Sequence, residues 1–205
     1  MSNGGGAMSS VIVMFSRADE NYEVGYVYEG NTAKVADAIA EATGAPVIEI
    51  RPEIPYPPTY SDTVDRVKEE MAEGVKAKIV VEFANENTDE NTDGGRHGGP
   101  TRGTTAESGV DAVFDAADTV YLGYPIWCGE MPLEVETFIA DHDWHGKTIL
   151  PFITHGGSGF KETPARIAAL TGATVLPGLA IPGTDAQCRP DAVERAVADW
   201  LDPTR

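Results

Sequence analysis

Apolar positions along the chain fall into short β-branched runs, each followed by a stretch of helical period. Val11–Phe15 is a continuous apolar run, which predicts a strand buried on both faces. From Asn31 to Ala42 the residues Val35, Ala38, Ile39 and Ala42 share one helical face, and Gly44 ends the pattern. Pro46–Ile50 predicts a second strand. The prolines of "RPEIPYPPTY" then lack ladder donors and bar helix for the residues before them. Ser61–Lys78 reads as a charged, mostly exposed helix capped by Ser61 or Asp62.

Residues 84–109 hold almost nothing to bury and predict a long surface loop. Beyond it, strands are predicted at Thr119–Tyr124, Thr148–Thr154 and Ala173–Ala180. Helices are predicted from Leu133 to Ala140, Lys161 to Leu170 and Asp191 to Leu201. Five β-α repeats with fully apolar strands require cover on both faces. That predicts a parallel sheet with right-handed crossovers. The 205 residues suit one domain from 11 to 202, preceded by a flexible tail over residues 1–10.

In such sheets, ligands bind beyond the carboxyl ends of the strands at a topological switch point, so three loops are read together. The first carries Ser16 and, after an insertion, Gly30, Asn31 and Thr32 at a helix start. Unpaired amides there bind phosphate; a plain Asn or Thr helix cap is the alternative. The second is "GYPIWCGEMP", Gly123 to Pro132. It forms either an aromatic ledge for a planar ring or simply a tight turn over core. The third is "THGGSGF", Thr154 to Phe160, whose glycines expose backbone to a ligand or make an unremarked turn. A ligand with a phosphate at one end and a flat polar ring at the other satisfies all three.

Composition narrows the partners. Net charge is −18, which makes nucleic acid and anionic membrane poor partners for the bulk surface. No apolar run approaches the roughly 20 residues of a membrane span. Two cysteines, Cys128 and Cys188, indicate no disulfide framework and suit a cytoplasmic protein. "DHDWH", Asp141 to His145, has metal-capable side chains but reads as a solvated turn. "GGSGF" does not fit a hydrolase nucleophile elbow, because Phe160 fills the last glycine position.

The motifs resemble those of flavodoxin-like proteins that bind flavin mononucleotide (FMN). "YPIWCG" resembles that family's Y-P-x-W-W-G segment, and "THGGSG" and "IEIRPEIPYPPTYSDTVDRVKEE" match the same branch. The resemblance implies an α/β three-layer sandwich with a five-stranded parallel sheet of order 2-1-3-4-5 and FMN at the switch point. It implies that Ser16, Gly30, Asn31 and Thr32 hold the phosphate. Pro125, Ile126, Trp127, Cys128 and Gly129 would line the isoalloxazine, with Thr154, His155, Gly156, Gly157 and Gly159 closing its other side. Two departures stand out. Arg17–Glu29 interrupts a normally compact phosphate loop; Tyr22, Tyr26 or Tyr28 would then touch the flavin, or the three tyrosines simply pack the loop. Cys128 replaces an aromatic residue. The implied function is electron transfer to redox proteins with basic docking surfaces. The alternative is an FMN oxidoreductase taking hydride from NAD(P)H and passing electrons to quinones.

Overall fold

The computed structural model describes residues 9–84, 104–202 and 204. Strand β1, Ser10–Phe15, is central, with Val11, Val13 and Phe15 on one face and Ile12 and Met14 on the other, all buried. It pairs in parallel with β4, Val47–Pro52, through Ile12↔Val47, and with β6, Thr119–Pro125, through Val13↔Leu122. β6 pairs with β7, Thr148–His155. The parallel order therefore runs β4-β1-β6-β7 and then to the last strand, the arrangement the sequence implies.

The sheet departs from the expectation in two places. It has seven strands, because β5, Ile79–Phe83, lies antiparallel on β4 and forms an edge. The sequence reading runs a helix up to Lys78 and so leaves this "IVVEF" segment unread. In the structure Gly74 stops helix α2, Tyr60–Glu73, with φ of 62°, a conformation that glycine adopts without steric cost. The last strand is split into β8, Thr174–Val175, and β9, Leu179–Pro182, both on β7. Pro177 lies between them and has no N–H to donate to a ladder.

Of the expected 84–109 loop, residues 85–103 lie outside the described ones. Its last part belongs to helix α3, Thr104–Ala116, which docks through buried Val110 and Phe114. Lys147 Nζ secures the end of α3, donating to the carbonyls of Phe114, Asp115 and Ala117 at 2.8, 3.1 and 2.7 Å. A cation there satisfies carbonyls that the helix leaves unpaired.

Helices cover both sheet faces. α2 and α3, with α4 (Leu133–Asp141) and α5 (Thr163–Thr171), bury Val67, Phe114, Phe138 and Ile167 against Phe15, Ile50 and Leu122. α1, Asn31–Thr43, and α7, Pro190–Leu201, bury Val35, Ile39, Val193 and Val197 against Ile12, Met14 and Phe152. A six-residue helix, α6 (Gly183–Cys188), follows β9. No helix among the described residues is long and apolar enough to cross a membrane.

Candidate functional site

A cleft of about 380 Å³ opens at the carboxyl ends of β1, β6 and β7. Its size falls in the range of small-molecule sites, roughly 300–1,000 Å³. The start of α1 lines it through Asn31, the β6 turn through Pro125–Gly129, and the β7 loop through Thr154, His155, Gly156 and Ser158. The three loops expected to converge are thus brought together. Ser16, Gly30 and Thr32, and Gly157 and Gly159 in the turn after His155, are not among the residues lining this cleft, and Ser16 lines a neighbouring one with Arg17.

The α1 start is tightly built. Ser16 Oγ accepts the Ala33 amide at 3.0 Å, which leaves its hydroxyl proton free to donate elsewhere. Gly30 has no room for a side chain, since a Cβ would sit 2.2 Å from Ser16 Oγ and 2.5 Å from the Arg17 carbonyl. The amides of Asn31 and Thr32, in the first turn, have no carbonyl within the helix to receive them. Thr32 Oγ1 lies 2.9 Å from Thr154 Oγ1, both buried, tying the first loop to the third. Gln187 of α6 donates to the Glu29 carbonyl at 2.8 Å and to Asn31 Oδ1 at 2.9 Å. The Asn31 side chain is thereby fixed by protein.

The β6 turn is a two-residue hairpin. Trp127 and Glu130 exchange both backbone hydrogen bonds at 2.9 Å, and Cys128 and Gly129 take φ of 50° and 89°. Positive φ at both central residues is the geometry of the type I′ turn. The Trp127 ring is clamped edge-on by Phe15 and Tyr56, at centroid distances of 5.2 and 5.1 Å. Cys128 is exposed at the turn's tip.

The insertion folds into a small hairpin of β2, Asp19–Asn21, and β3, Gly25–Val27. Its turn presents Tyr22 to the cleft. That ring lies 5.7 Å from Tyr60, and a Cβ on Gly156 would sit 2.4 Å from Tyr22 Cδ1. Tyr22 therefore bridges from α2 to the third loop across the cleft mouth. Tyr26 and Tyr28 point away, 63% and 96% exposed, and pack edge-to-face on each other.

Arg17 is the site residue that sequence reasoning missed. It donates from Nη1 to the Glu20 carbonyl at 2.7 Å and from Nη2 to the Pro57 carbonyl at 2.5 Å. Its Nε is buried with no partner, and the guanidinium lines the cleft. Burial pulls its pKa down, against the opposing charges of Asp19 and Glu20. The signal was available: Arg17 is the sole lysine or arginine before Lys34 and lies two residues past the end of β1. Lys68 of α2 is the second cation on the wall.

This architecture is the flavodoxin-like fold. The sequence profile of the flavodoxin family matches residues 102–195, ending within α7. A protein described as a flavoprotein from Bacteroides eggerthii is 22% identical, covering 96% of this chain and 97% of its own, at a TM-score of 0.64. A similar one from Bacteroides uniformis is 21% identical over 93% of this chain and 98% of its own, at 0.60. A flavoprotein in complex with FMN from Lactobacillus acidophilus is 15% identical over 85% and 93%, at 0.55. No curated protein sequence matches the chain.

Proposed function

We propose that the protein binds FMN in this cleft and serves as a flavodoxin-type electron carrier. The observation that carries the reading is the cleft itself. It lies at the β1/β6 switch point, with a helix start at one end and a clamped Trp127 turn at the other. The residues fit the cofactor. The first-turn amides of α1 suit a phosphate, and the buried unpartnered Nε of Arg17 is a donor without an acceptor. Bound FMN supplies reversible uptake of one or two electrons, and the protein orients it and excludes water. Trp127, Tyr22 and Tyr60 give apolar walls for a planar ring.

The carrier's partners are redox proteins with basic docking surfaces, complementary to a net charge of −18. A second reading, an NAD(P)H-dependent FMN oxidoreductase acting on quinones, draws on Arg17 and Lys68, two cations on a cleft wall of an acidic chain. NAD(P)H oxidation with a quinone separates the two. Turnover without any added reductase supports the oxidoreductase. No such turnover, with reduction in two separated one-electron steps, supports the carrier.

A further inference from the structure

His155 stands at the end of β7, where the third loop begins, and its ring lines the cleft. The Gly157 amide lies 2.8 Å from His155 Nδ1. A backbone N–H only donates, so Nδ1 must present its lone pair and the imidazole proton must sit on Nε2. Among the described residues nothing accepts from that Nε2–H. The ring is held from one side by its own loop and has a single donor left to offer.

The structure assigns His155 a specific role in the proposed FMN site: a neutral imidazole locked as an Nε2–H donor, which takes an acceptor atom of the flavin's polar edge. The inference rests on the FMN reading and deepens it, since it makes the third loop a chemical selector rather than a wall. A ligand edge offering only donors there meets Nε2–H proton to proton and is rejected, because it leaves two buried donors unpaired.

The same geometry makes binding depend on pH. Protonating the ring places a second proton on Nδ1, facing the Gly157 amide. That hydrogen bond is lost and the loop must move. Gly157 has φ of 100°, so its amide direction is set by a conformation other residues rarely adopt. The titratable and charged groups that share the cleft with the ring are Arg17, Lys68 and Glu20, with the hydroxyls of Tyr22 and Tyr60 and the Cys128 thiol. Partial burial disfavours the imidazolium, lowering its pKa from the ordinary value.

The test combines nitrogen-detected imidazole NMR with FMN titrations of the full chain from about pH 8 to about pH 5. NMR on FMN-free protein should show the Nε2–H tautomer and a pKa below that of free imidazole. FMN affinity should then fall as the pH drops through that pKa. His155→Asn keeps an acceptor for the Gly157 amide but has no Nε2–H. It should bind FMN about threefold to tenfold more weakly at pH 8 and lose the low-pH fall. His155→Ala, lacking both, should bind more weakly still. An Nδ1–H tautomer, or wild-type affinity that is flat or rises toward pH 5, overturns the inference while FMN binding itself stands. No FMN binding by the wild type at any pH overturns both.

Discussion

Tyr56 has one hydroxyl proton and two carboxyl neighbours, Glu70 Oε2 at 2.9 Å and Glu134 Oε1 at 2.8 Å. Glu70 is also paired with Arg66 at 2.8 Å, whereas Glu134 is 1% exposed and its pKa is raised chiefly by burial. A folded-state pKa above the unfolded value gives stability that is complete below the unfolded pKa and lost as pH rises through the folded one. Glu134→Gln mimics the neutral acid. Its melting temperature should match the wild type near pH 4 and exceed it increasingly toward pH 8; a gap that shrinks with rising pH would contradict the raised pKa. Two glycines make a second contrast. A Cβ on Gly123 would meet the buried Phe152 ring at 2.1 Å, so Gly123→Ala should cost about 1–3 kcal/mol in denaturant unfolding. The nearest atoms a Cβ on Gly156 would meet belong to Tyr22, which is 54% exposed. Gly156→Ala should therefore leave stability within about 1 kcal/mol of the wild type and weaken FMN binding.

At the scale of elements, the insertion and the short helix α6 act together. Gln187 holds the Glu29–Asn31 segment where the proposed phosphate site needs it, and its amide bonds α6 to that segment. Gln187→Ala should weaken FMN binding several-fold while unfolding free energy changes by about 1 kcal/mol or less. Equal affinity in a fluorescence titration would show that the loop holds itself. The sequence made the parallel strands and flanking helices readable because their apolar runs are long and bounded by glycine or proline. β5 was not readable: four of its residues are half-buried and Val80 is exposed at an edge, and the strand follows a helix whose charged pattern ran on past Gly74. α3 was hidden by the polar stretch before it, although Val110 and Phe114 share the i, i+4 spacing of a buried face. In the site, the three converging loops were legible from residue types alone. The roles of Arg17 and Gln187 were not, since they depend on which backbone carbonyls the folded insertion and α6 present.

For the whole molecule, the dominant property is charge. A carboxylate at about 10 Å from the cleft disfavours an added negative charge by only ~0.4 kcal/mol through water, or roughly 18 mV for one electron. The excess of 33 acidic residues over 15 lysines and arginines makes many such terms act in one direction. The second electron should enter bound FMN at a potential below that of free FMN, with a smaller depression at high salt. A spectroelectrochemical titration giving a potential above free FMN would show that local donors outweigh the field. Electron transfer to a cationic redox protein should likewise slow as ionic strength rises. All of this depends on the cleft holding FMN. The most direct measurement is an absorption titration of the purified chain with FMN, following the flavin bands near ~450 nm and ~370 nm that identify the cofactor. The fold and cleft predict saturation at one FMN per chain, weakened by Gly30→Ala, which would crowd Ser16 and the Arg17 carbonyl at the start of α1. No perturbation of the flavin spectrum at micromolar FMN would contradict the central claim.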